Sequence, residues 1–163
     1  MSEVVVFLSA RYARRHELRR YREDLQARGV RVAARWIDGE DEASLSGPDR
    51  AEAIRLLEMD LIDLAQANVV VSFTEDPEHQ PEGGSRGGRH VEFGMALEAR
   101  KRLFLVGPRE NLFHWTIPDG CVFGTWEAAL EEIDFACAWG LLVPSSLRTA
   151  RVGGRALPPE VRS

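Results

Sequence analysis

The sequence predicts an α/β fold: a five-stranded parallel sheet of flavodoxin-like, Rossmann-like order 2-1-3-4-5 with helices on both faces. Three observations predict it. Apolar runs rich in β-branched residues, at positions 4–8 and 69–73, are too short for helices and lack the alternation of a half-exposed strand, as expected of strands buried on both faces. Between such runs lie segments whose apolar residues recur every three or four positions, the helical period. Strands alternating with helices require crossovers, and right-handed crossovers within one small sheet lead to this order.

The first strand is Val4-Val5-Val6-Phe7-Leu8. Residues 16–28 read as a helix carrying Leu18, Tyr21 and Leu25 on one side, stopped by Gly29, a residue that tolerates the left-handed turn closing many helices. A second strand is expected over 30–37. An acidic connection leads to Pro48, which suits the first turn of a helix running to about Ala67. Strand three spans 69–73. The segment EDPEHQPEGGSRGG, residues 75–88, is the longest without periodicity, and long loops in compact domains are often functional. A helix over 90–100, a strand over 103–106, a loop over 107–120 and a short strand over 121–123 follow. The last helix spans 125–142, opened by a Thr125 cap. We read residues 1–143 as one domain and 144–163 as an irregular tail.

With 163 residues, 44% of them hydrophobic, the chain can bury a core without disulfides or a structural metal. A net charge of −5 argues against binding a nucleic acid polymer, which needs cationic surface. No apolar stretch approaches the ~20 residues that span a bilayer, and the start, MSEVVVFLSA, is not a secretory signal. A cytoplasmic protein is expected. Cys121 and Cys137 show no CxxC spacing and read as buried free thiols rather than catalytic ones. The four histidines lack HExxH or clustered spacing, so no metal is expected. Walker A, GxSxG and GxGxxG motifs are missing, which removes the kinase, α/β-hydrolase and dinucleotide-dehydrogenase readings and leaves no cofactor implied.

In such sheets ligands bind beyond the carboxyl ends of the strands, and the candidates fall there. Gly87-Gly88-Arg89-His90-Val91-Glu92-Phe93-Gly94 combines glycines that let a ligand approach the backbone with a helix start. Glu92 is expected in the first turn, where the dipole favours its ionised form. It is either a nucleophile or a glutamate chosen only for that dipole. On the preceding helix, Ile54, Leu57, Leu61 and Leu64 form an apolar stripe, with Asp60 at its edge and Asp63 on the polar face. Asp60 is either a proton handler or a structural partner of a neighbouring loop. Together the two carboxylates resemble the pair used in glycosidic chemistry. Arg11 follows the first strand and suits an anionic ligand, while Arg14 and Arg15 suit a solvated helix face. Trp36 and Trp115 stack on a base or pack in a core or interface.

At these residues the chain resembles the nucleoside 2-deoxyribosyltransferase-like family, which includes nucleoside 5′-monophosphate N-glycosidases. VVFLSA, EMDLIDLAQANVVVSF and GRHVEFGMALEARKRLFLV carry the resemblance over about residues 4–107. It implies Glu92 as the nucleophile at the anomeric carbon and Asp60 as the aspartate assisting the base. Substrate contacts are expected from Phe7, Ser9, Arg11, Trp36, Gly88, His90 and Trp115, and the resemblance implies a small nucleoside or nucleotide as partner and a homo-oligomer. Deoxyribosyl members carry Tyr where this chain has Phe7, so the nucleophile is expected to lack a protein hydroxyl donor. A ribose 2′-OH would then replace it, which implies a ribo preference. The readings to weigh are an N-glycosidase or transferase, a TIR-like NAD glycohydrolase, and a non-catalytic nucleotide-binding module.

Overall fold

A computed structural model describes residues 3–39, 50–76 and 87–138. Strands β1 (Val5–Ser9), β2 (Arg31–Val32), β3 (Val69–Phe73), β4 (Arg102–Val106) and β5 (Val122–Phe123) form one sheet of order β2-β1-β3-β4-β5. Every pairing is parallel, with Val6 opposite Val69, Ser9 opposite Ser72 and Val71 opposite Phe104. All five residues of β1 and of β3 are buried, as continuous apolar runs require when helices cover both faces.

Helix α1 (Arg15–Gln26) buries Leu18 and Leu25 and ends as expected at Gly29, whose φ is +75°. Helix α4 (Trp126–Ala138) packs beside it: the Trp126 ring stacks on Tyr21 with centroids 4.6 Å apart, and its indole N–H donates to Asp24. The Thr125 hydroxyl accepts from the Ala128 N–H and caps α4. Helices α2 (Arg50–Gln66) and α3 (Gly88–Glu98) cross in the opposite sense from β2 to β3 and from β3 to β4, so right-handed connections place both on the other face. No helix among the described residues is long and apolar enough to cross a membrane. The Pro48 helix start, most of the 75–88 loop and the 144–163 tail lie outside the described residues.

Three expectations change. The second strand is two residues long, and Arg35–Asp38 instead forms a 3-10 turn. That turn drives Ile37 into the core and sets the Trp36 indole N–H on the Leu8 carbonyl at 2.9 Å. The indole N–H thus takes the acceptor that the next ladder bond after Ala33 N–H to Val6 would have used, so the strand ends without leaving that buried carbonyl unpaired.

Helix α2 is rotated from the expected phase. Asp63 is buried and Leu57 is 56% exposed, with Ile54, Leu61 and Ile62 also facing outward. Asp63 accepts from the Arg35 backbone N–H at 2.7 Å and its Nε at 2.8 Å. A carboxylate with two such donors can be buried, and apolar periodicity cannot register that.

Arg15 is buried with its guanidinium over the Tyr12 ring, and Arg14 is half-buried against Glu17, so neither is a simply solvated side chain.

Candidate active site

The carboxyl end of the sheet assembles from β1, β3 and the helices that follow. Ser9 ends β1, is buried, and donates its Oγ–H to Glu92 Oε2 at 2.5 Å. Helix α3 begins at Gly88, two residues before the expected start, so no acidic residue stands in its first turn. Glu92 therefore sits in the second turn, where the dipole has largely faded. Burial pushes its carboxyl up to about 7, with the nearby Asp60 charge adding to the rise and the Ser9 hydroxyl opposing it. The first-turn account of Glu92 is thus replaced by a desolvated carboxylate held by a hydroxyl.

Asp60, in the third turn of α2, is raised to about 6, first by burial and then by the Asp63 charge, with Arg35 opposing. Its Oδ1 is buried and has no hydrogen-bond partner among the described residues. A buried polar atom without a partner costs about 1–3 kcal/mol, and a ligand donor would remove that cost. The Asp60 charge adds to the rise at Glu92, while the rise at Asp60 itself comes from burial and from Asp63.

Arg11, just past β1, is buried and pairs with Glu75 beyond β3 at 2.7 Å. Gly88 has open space where a Cβ would stand, leaving room for a ligand at the start of α3. Trp115 is 69% exposed, under the Arg109 guanidinium at 4.9 Å. His90 is half-buried, and its ring nitrogens contact Asn111 and Glu110.

Two expected substrate contacts fail. Phe7 is fully buried in the core, so its ring offers no surface to a sugar. Trp36 is likewise a core residue, tied to Leu8. The hydroxyl thought missing from the surroundings of Glu92 is present on Ser9, two residues along the same strand and therefore on the same face as Phe7.

Glu110, Asn111 and His114 were not singled out as site residues in the sequence, yet with Arg89 of the Gly87–Gly94 motif they form a largely buried polar cluster beside His90. Arg89 pairs with Glu110 at 2.8 Å, and the His114 ring accepts from the Glu110 backbone N–H. The location of Glu110, Asn111 and His114 past β4 was the available signal; the pairing of Glu110 with Arg89 across 21 positions leaves none. Both cysteines are free and half-buried, and burial raises their thiols.

The fold is similar to that of the 2-deoxyribosyltransferase of the psychrotolerant bacterium Bacillus psychrosaccharolyticus. The TM-score is 0.53 and the identity 15%, over 76% of this chain and 88% of that one. The CMP N-glycosidase BcmB of Clostridium botulinum also matches, with a TM-score of 0.49 and 17% identity over 80% of this chain and 98% of that one. No protein-family model and no curated protein sequence matches the chain.

Proposed function

We propose that this protein cleaves the N-glycosidic bond of a nucleoside or nucleoside 5′-monophosphate through a glycosyl-enzyme intermediate. The observation that carries the reading is the carboxylate of half-buried Glu92, held by Ser9 and raised by the charge of an Asp60 whose Oδ1 lacks a partner among the described residues. A Glu92 oxygen bonds the anomeric carbon as the bond from that carbon to the base nitrogen breaks. The electron pair leaves on the base nitrogen, which takes a proton from Asp60. Water then attacks the same carbon, gives a proton back to Asp60 and releases Glu92 as carboxylate; a second base in place of water gives transfer instead. The attacking form carries the proton on Asp60 and the charge on Glu92; with Glu92 raised to about 7 and Asp60 to about 6, the resting proton favours Glu92, and the Ser9 hydroxyl is the donor that supports the reactive, ionised Glu92.

Arg11 at the ends of β1 and β3 suits a 5′-phosphate, and exposed Trp115 suits a base or a neighbouring copy. The ribo preference no longer follows, since its premise was the missing hydroxyl that Ser9 supplies. The reading includes assembly as a dimer or larger. Ile54, Leu57, Leu61 and Ile62 of α2 and Val91 and Met95 of α3 leave apolar surface uncovered on one face, as interfaces do.

The test is base release, followed chromatographically, from a panel of nucleosides, nucleoside monophosphates and NAD. Base release from nucleosides or nucleotides that disappears in Glu92→Gln supports the reading. Release from NAD alone points to a glycohydrolase of that cofactor. Near-wild-type turnover in Glu92→Gln removes the nucleophile.

A further inference from the structure

We propose that Glu110 is a positioning residue for Glu92: its carboxylate fastens the first turn of α3 to the ends of β3 and β4. The proposal rests on the reading of Glu92 as nucleophile.

Helix α3 opens with no capping side chain and no acidic residue in its first turn. A helix start with its N–H groups unsupported tends to fray. Here the hold comes from side chains. Arg89 Nη2 donates to both Glu110 oxygens at 2.8 and 3.0 Å, and Arg89 Nε reaches Oε2 at 3.3 Å. The two side chains are 2% and 5% exposed. Glu110 Oε1 also accepts the Glu75 backbone N–H at 2.9 Å. One carboxylate thus joins the segment after β3, the start of α3 and the segment after β4. Gly107 brings that last segment into reach: its φ is +116°, and a Cβ there would stand 2.6 Å from the Thr74 carbonyl oxygen.

The neighbouring donors point the same way. Asn111 Oδ1 accepts from the Phe113 and His114 N–H groups, so its Nδ2 is the donor to His90 Nδ1 at 3.1 Å. The neutral His90 ring then carries its proton on Nε2, 3.5 Å from Glu110 Oε2. Glu92 stands three residues beyond Arg89 and reaches Ser9 at the end of β1. The first two turns of α3 are therefore pinned to β3 and β4 through Glu110 and to β1 through Glu92. Buried ion pairs can often be replaced by apolar residues without loss of stability, so geometry rather than stability accounts for this one.

The expected effect of Glu110→Gln is a fall in kcat of about tenfold to a hundredfold, the size of loss that a misplacement near 1 Å produces. KM should stay within about threefold, since ligand contacts remain, and Glu110→Asp should recover part of the rate. Glu110→Gln strands the Arg89 charge and can unfold the chain. The paired variant Arg89→Met with Glu110→Met removes both charges; it should stay folded by circular dichroism and show the same loss. A second readout needs no activity: titration of the Glu92 carboxyl by carbon NMR in the ligand-free protein. Ser9→Ala should move that midpoint in the wild type and leave it unmoved in the Glu110→Gln or double-methionine background, where the Ser9 bond is already lost. A Ser9→Ala shift of equal size in both backgrounds overturns the proposal, as does a folded double-methionine variant with wild-type kcat. Absence of base release from the whole panel would defeat the functional reading, while the titration cycle would still decide whether Glu110 positions Glu92.

Discussion

Removing the Ser9 hydroxyl probes the site most directly, because it takes away the one group that supports ionised Glu92 and leaves burial and the Asp60 charge in place. A hydrogen bond to a charged group contributes about 1.5–3 kcal/mol. At 1.36 kcal/mol per pKa unit, Ser9→Ala should raise the Glu92 midpoint by about 1–2 units. From a starting value of about 7, the ionised fraction at pH 7 drops from about one half to between about a tenth and a hundredth. The corresponding kcat/KM at pH 7 falls roughly fivefold to fiftyfold, because only the ionised carboxylate attacks. The assays are NMR titration of Glu92 and initial rates of base release between pH 5 and 9, run on Ser9→Ala, Ser9→Thr and wild type. Threonine keeps the hydroxyl and should stay near wild type. A midpoint unmoved by Ser9→Ala, with rates within twofold, would refute the role assigned to this bond.

Asp60→Asn should depress turnover strongly and lower the Glu92 midpoint, since it removes a proton carrier and a like charge together. Asp63→Asn should instead cost about 1–3 kcal/mol of stability in a urea titration, because the amide cannot accept from both Arg35 donors. Glu92→Gln should stabilise the fold, and more so as pH rises. The folded midpoint of about 7 lies above the ordinary 4.5, so ionisation costs folding stability increasingly from pH 4.5 to 7 and fully above. Melting curves should therefore show the largest gain in Tm near pH 8 and almost none near pH 4; a gain independent of pH would contradict the burial of Glu92. Leu57→Glu with Leu61→Glu on α2 should shift an assembled species to monomer by light scattering. A wild-type chain of 18.3 kDa in solution would itself refute the assembly.

The strand order and the four helices were legible in the sequence. Apolar runs, helical spacing and turn glycines are local patterns, and the crossover rule converts them into topology without further information. Position in a parallel sheet then places residues after β1 and β3 and at the start of α3 at one end. What the tertiary structure decided were the matters of partnership. Asp63 turns inward because Arg35, 28 positions earlier, supplies two donors. Trp36 packs in the core because the Leu8 carbonyl needs its N–H. The hydroxyl on Glu92 comes from Ser9 rather than from the residue at position 7, and the Glu110 carboxylate past β4 pairs with Arg89 at the start of the helix that carries Glu92. The physical reason is one of range. Periodicity reports how much apolar surface a segment must bury, whereas the cost of burying a charge depends on the donor opposite it, which the chain brings near only on folding.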